Sequence, residues 1–258
     1  MSHKSYPFLL LCMTFLFSCE IGSNDSKNPA AEGFNLQDSD PEAIVLADKV
    51  MAAMGGRDSW DDTKYIAWNF FGVRDLIWDK SSGDVRINIP EDELKIILNV
   101  NSMEGKVNKG GENIENTDSL SKYLEMGKNI WINDSYWLVM PFKLKDSGVT
   151  LQYLGEDVTN NSDSAAVLEL TFENVGSTPE NKYHVYIDKN TNLVTQWAYF
   201  AEASQDTPNF VMPWLDYEKH GEILLSGNRG ERKLSEIKVL ESVPDHTFKS
   251  FDPVDLGN

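Results

Sequence analysis

Cysteine is nearly absent from this 258-residue sequence, which holds only Cys12 and Cys19. Two cysteines cannot build a disulfide framework, and no Cys/His spacing suits a structural zinc. Positive charge is also scarce: 23 Lys and Arg stand against 41 Asp and Glu, a net charge of −18. That balance repels phosphate backbones, so no nucleic-acid partner is expected. No apolar run approaches the roughly 20 residues that cross a bilayer. The G-x-S-x-G elbow and the H-E-x-x-H zinc motif are both missing. His184, His220 and His246 stand far apart. Ser119-Leu120-Ser121-Lys122 matches S-x-x-K, but the K-T-G that should follow is absent. Acidic clusters at Asp79–Asp84 and Glu91–Glu93 do not complete a calcium loop of EF-hand type. Gly105-x4-Gly110 lacks the Lys-Ser/Thr of a phosphate loop. No metal, no cofactor and no catalytic residue is therefore expected.

What is present begins at the amino terminus. His3 and Lys4 precede an apolar run from Pro7 to Phe17, too short to span a membrane and suited to a secretory signal peptide. It ends Leu16-Phe17-Ser18-Cys19, which resembles the bacterial lipobox. The resemblance implies a lipoprotein signal peptide over residues 1–18 and acylation of Cys19, so that lipid and not a helix anchors the chain to the membrane. Glu20, where an inner-membrane retention signal would place Asp, implies the outer membrane. Residues 20–39 are polar and without hydrophobic period, and together with Cys19 read as a flexible tether.

A helix is predicted next. Asp40 is a good N-cap, Pro41 suits the first helical position, and Glu42 complements the positive end. Ile44, Ala47, Met51 and Met54 share a face, and Gly55-Gly56 supplies the stop. Thereafter alternation and β-branched residues predict strands at Lys64–Val73, Leu76–Trp78, Asp84–Ile89 and Leu94–Val100. An edge hairpin over Gly105–Asn116 breaks at Gly110-Gly111. A second helix is predicted near Ser119–Trp131. Seven further short strands follow, from Val149–Leu154 to Glu236–Val243. The fold class read from this pattern is mainly β (α+β). It is a single large, strongly curved antiparallel sheet, in one domain spanning 40–258.

Seven tryptophans remain to be placed. Trp68, Trp78, Trp137 and Trp197 sit in or beside predicted strands, where they either fill a sheet–helix core or line an apolar cavity. By location and size, Trp68, Phe70, Trp78, Trp137, Met140, Trp197 and Phe200 are the candidate cavity residues.

Asn133–Phe142, Asn181–Asp188 and Leu193–Trp197, with the opening helix, Gly55-Gly56 and Trp60, carry a resemblance. The chain resembles a Bacteroidota outer-membrane lipoprotein family related to the Lol-type (LolA/LolB-like) lipoprotein carriers. That resemblance implies a LolA/LolB-like half-barrel, unclosed and capped by helices, with an apolar hollow for acyl chains and no catalytic machinery. Asp118-Ser119-Leu120 and Asp163-Ser164-Ala165 resemble the O-glycosylation pattern of secreted proteins of that phylum, making Ser119 and Ser164 candidate acceptors. The function expected is a non-catalytic, lipid-anchored envelope protein binding a lipid or other hydrophobic ligand. The alternative is a surface lipoprotein that recruits a protein partner through its acidic face.

Overall fold

Period-two alternation of apolar and polar residues builds most of this molecule, because it gives each strand one face to bury. The computed structural model describes residues 27–173, 176 and 178–257. The expected signal peptide and Cys19 lie outside the described residues. Among the described residues the α-helices are α1 (Pro41–Ala53), α2 (Arg57–Asp62) and α3 (Thr117–Val139). The strands of the first half are β1 (Tyr65–Phe70), β2 (Arg74–Asp79), β3 (Asp84–Ile89), β4 (Leu94–Asn99), β5 (Gly105–Lys109) and β6 (Glu112–Asn113). Those of the second half are β7 (Val149–Val158), β8 (Ser164–Phe172), β9 (Lys182–Asp188), β10 (Val194–Phe200), β11 (Phe210–Pro213), β12 (Leu215–His220), β13 (Ile223–Arg229) and β14 (Arg232–Leu240).

The architecture is mainly β, a large curved and unclosed antiparallel sheet with a long helix against it. Hydrogen bonding divides it into two sections, a nine-stranded one ordered β12-β13-β14-β1-β2-β3-β4-β5-β6 and a five-stranded one ordered β11-β10-β9-β8-β7. The chain passes directly from one to the other between β11 and β12. Pro213 on β11 pairs with Gln196 on β10, whereas Leu215, two residues on, pairs with Asn228 on β13. Trp214 is the fully buried pivot between the sections, and Asp216 adopts φ 58° just beyond it. The single sheet read from the sequence is thus bent at a partner switch, the way strands turn corners in packed sheets.

On the concave side Ile66, Trp68 and Phe70 face Trp78, Leu76 and Arg74 across the β1–β2 ladder, and Val85, Ile87, Ile96, Leu98 and Val107 continue the layer. Helix α3 covers it. Asn116 caps α3 by accepting from the Ser119 N–H at 3.0 Å, and Pro141 follows its end. The helix is ten residues longer than the predicted Ser119–Trp131: it begins at Thr117 and runs to Val139, so Trp137 lies on a helix and not in or beside a strand. The apolar run Trp137–Met140 has β character by composition, and only its burial against the sheets selects the helix.

Two glycines let α3 sit close. A Cβ on Gly127 would lie 3.0 Å from Ile96 Cγ2, and one on Gly105 would lie 2.7 Å from Leu124 Cδ2 and 2.9 Å from Leu98 Cα, besides striking the Ile97 carbonyl oxygen. The obstacles at Gly105 include backbone, which cannot rotate away. Gly105→Ala is therefore expected to cost about 1–3 kcal/mol through overpacking; urea midpoints measure it, and an unchanged midpoint would show that β4 and β5 separate freely.

Two segments depart from the sequence reading. Residues 27–39 belong to the expected flexible tether, yet they are docked. The N–H of Asn35 bonds to Val149 O at 3.0 Å, Asp40 N–H to Leu151 O at 2.8 Å, and Leu151 N–H to Ser39 Oγ at 3.0 Å. Phe34 is buried. This stretch covers half of the exposed edge of β7, where unpaired backbone groups would otherwise invite association. The carboxyl-terminal residues, unassigned in the sequence, strap the convex face. There Arg86 donates to the carbonyls of Thr247 at 3.0 Å, Ser250 at 2.7 Å and Asp252 at 2.8 Å.

Candidate functional site

The concave layer between α3 and the two sheet sections is aromatic throughout. Trp137 packs edge-on against Trp197 (centroids 4.7 Å apart), Phe71 (5.2 Å) and Phe70 (6.4 Å), and stacks on Phe210 at 5.6 Å. Trp197 in turn stacks on Tyr183 at 5.2 Å and meets Trp214 edge-on at 5.3 Å. At the other end of α3, Trp131 meets Trp78 at 5.4 Å. Edge-to-face and offset geometries of this kind are the favourable ones for ring quadrupoles.

Five of the candidate cavity residues, Trp68, Phe70, Trp78, Trp137 and Trp197, belong to this layer, and Met140 packs in the same core. They fill the layer with their own side chains and line neither of the two pockets described below. Phe200 does not join them. It pairs with Lys182, so it points to the opposite face of the small sheet, where it contacts His184 at 4.5 Å and the Lys182 ammonium at 4.7 Å. Period-two alternation along β10 already sets Phe200 opposite Trp197, three residues earlier, because the bulge between Val194 and Gln196 precedes both. Ser119 lies in the first turn of α3 and Ser164 is the exposed first residue of β8.

The layer has an unusual polar account. Among the described residues, seven buried side-chain N or O atoms have no hydrogen-bond partner. Five are the ring N–H of Trp68, Trp131, Trp197 and Trp214 and the hydroxyl of Tyr136, all in this layer. Arg229 Nε is a sixth. Each such group forgoes about 1–3 kcal/mol relative to hydration. Burial also pushes the Tyr136 phenol well above its ordinary range, and that of Tyr183 upward, so both remain neutral donors.

Two arginines frame the layer, and sequence reading singled out neither. Arg229 is 2% exposed. Its guanidinium lies 3.4 Å over the Trp214 ring and donates to Ser226 Oγ (2.9 Å), Asn228 O (3.0 Å), Ser226 O (3.0 Å) and Trp137 O (2.7 Å). Trp137 O belongs to the last turn of α3, where unpaired carbonyls carry the negative end of the helix dipole, so the cation sits where the backbone is most negative. Burial pushes Arg229 down to about 9, which leaves it charged at neutral pH.

Arg74 closes the other side. It forks onto Asp134 of α3, Nε to Oδ2 at 2.9 Å and Nη2 to Oδ1 at 3.1 Å, and its guanidinium lies 5.0 Å from the Phe70 ring centre. Asp134 has no exposed side-chain surface, whereas Arg74 is 24% exposed. Burial raises the Asp134 carboxyl, opposed by hydrogen bonds from Asn133 and by the Arg74 charge. Beyond Arg74 an open groove of about 550 Å3 runs along α3, and a second pocket of about 10 Å3 lies under Phe142 and Lys145.

No protein-family model matches this chain, and no curated protein matches it in sequence. Solved structures do show likeness. A DUF1329 family protein from Desulfovibrio piger is 14% identical, with 82% of this chain and 98% of that one covered at a TM-score of 0.44. An outer membrane lipoprotein-sorting protein domain from Vibrio parahaemolyticus is 8% identical over 81% of this chain and 96% of that one, at 0.40. A LolA superfamily protein from Nitrosomonas europaea is 10% identical over 81% of this chain and 97% of that one, at 0.32. At these identities none of them assigns a role to a residue of the sheet described here.

Proposed function

We propose that this protein is a non-catalytic, lipid-anchored binding protein of the cell envelope. Its anchor is acylated Cys19 in the outer membrane, and Ser119 and Ser164 are glycan acceptors. Its ligand is an amphiphile with acyl chains and ester or amide carbonyls, taken up between α3 and the curved sheet. The observation that carries this reading is the set of unpartnered aromatic N–H and O–H groups in an otherwise apolar layer. Such a layer wants acceptors and apolar surface together, and the ester carbonyls and chains of an acylglycerol offer both. Because rings fill the layer in this state, chains enter only as α3 shifts outward.

Tyr136→Phe tests the idea, since it removes one partnerless hydroxyl and nothing else. The free protein is expected to gain about 1 kcal/mol in urea unfolding, while affinity for dihexanoylglycerol, read by tryptophan emission, falls several-fold. No change in emission and no added mass in native mass spectrometry, up to the solubility limit of this probe, would overturn the ligand reading and favour recruitment of a protein partner.

A further inference from the structure

Helix α3 presents a second stripe, away from the sheet. Lys122, Glu125, Met126, Ile130 and Asn133 recur at steps of three and four residues, which places them on one face, and with Arg74 and Asp134 they line the open groove of about 550 Å3. Met126 and Ile130 are half-buried and pack against the core, giving the groove an apolar floor. Its charges are of both signs. Lys122 and Glu125 are exposed and, among the described residues, neither makes an ion pair, although they stand one turn apart. Arg74 spends Nε and Nη2 on Asp134, which leaves Nη1 for the groove. Arg74 is also the common wall: the same guanidinium that faces the groove lies over Phe70 of the aromatic layer.

We infer that this groove holds the phosphoethanolamine headgroup of the amphiphile whose chains occupy the aromatic layer. This rests on the ligand reading above. The phosphate meets Arg74 Nη1 and Lys122, which suit it as charge-assisted donors. The ammonium meets Glu125, and the glycerol lies over Met126 and Ile130. The net charge of the chain decides between headgroups. At −18, the protein's own field opposes an anionic headgroup, whereas a zwitterion of zero net charge meets no such barrier and still satisfies both signs in the groove.

The test titrates the purified protein with four probes: dihexanoyl phosphatidylethanolamine, dihexanoyl phosphatidylglycerol, dihexanoylglycerol and glycerophosphoethanolamine. Phosphatidylethanolamine is expected to bind at least tenfold more tightly than dihexanoylglycerol and than phosphatidylglycerol. Glu125→Lys, an exposed change, is expected to narrow the gap between the two phospholipids by weakening phosphatidylethanolamine. Lys122→Glu is expected to abolish the preference over dihexanoylglycerol. Equal binding of phosphatidylethanolamine and dihexanoylglycerol overturns the groove assignment and leaves the ligand reading intact. Binding of none of the four overturns both. Glycerophosphoethanolamine binding as tightly as the lipid supports the groove and overturns the acyl-chain reading.

Discussion

Arg229→Met is expected to destabilise the protein by about 3–5 kcal/mol, because buried carbonyls lose their donor and a desolvated cation–π contact is lost. Three effects add. The carbonyls of Trp137, Ser226 and Asn228 lose a donor. The guanidinium no longer stacks on Trp214 at 3.4 Å, which in a desolvated site is worth about 2 kcal/mol. The last turn of α3 loses the cation that answers its dipole. For a chain of this size the midpoint of thermal unfolding should fall on the order of 10 °C. Arg229→Lys keeps the charge but not the planar fork, and should lie between the two. A loss under about 1 kcal/mol for the methionine variant would mean that α3 is held by apolar contact alone.

Arg74→Met should be nearly as costly at neutral pH, and its cost should depend on pH with a definite sign. Asp134 is fully buried and its carboxyl is already raised above the ordinary value by burial. Removing Arg74 takes away one of the groups that oppose the rise. Between the unfolded value near 3.8 and the raised folded value, the unfolded chain has released this proton and the native protein still holds it. Stability therefore falls as pH rises through that window, by up to about 1.4 kcal/mol per pH unit, and levels off above the folded value. Urea midpoints taken from pH 4 to 8 measure the slope. Wild type should show a shallower version. Adding Asp134→Asn to Arg74→Met should flatten it, because no titrating group is left in the site. A flat profile in Arg74→Met itself would show that water reaches Asp134 once the arginine is gone. The converse single change, Asp134→Asn, should cost less, since Arg74 is partly exposed and can be hydrated.

Much of the fold was legible in local pattern. Asp40, Pro41 and the spacing of Ala47, Met51 and Met54 specify α1, and Val85, Ile87 and Ile89 alternating with Asp84, Arg86 and Asn88 specify a half-buried strand. Gly110-Gly111 marks the β5–β6 turn because both residues take positive φ. The length of α3 was less legible, since Trp137–Met140 is as β-like as it is helical until a sheet covers it. The docked stretch 27–39 escaped for a related reason: Asn35 and Ser39 look like solvated linker residues until Val149 and Leu151 offer them partners. For the site, residue size and strand position found the aromatic layer but misplaced Phe200, which alternation along β10 sets on the face opposite Trp197. Arg74, Asp134 and Arg229 carried no sequence signal, for each is a single charge whose partner lies far along the chain.

By itself, then, the sequence determined the things that neighbouring residues decide: the mainly β composition, the places where strands turn, the cap and stop of α1, and an aromatic complement too large to be all on the surface. Tertiary structure decided what depends on distant segments meeting. It bent the sheet at Trp214, closed α3 over the concave face so that rings fill the layer, and left their N–H groups without partners. It also set a buried arginine against the helix end, and an open, two-signed groove beside Arg74. Period and propensity act over a few residues, whereas burial and charge pairing are fixed only when elements 60 or 92 residues apart, as Arg74 with Asp134 and Arg229 with Trp137, come into contact.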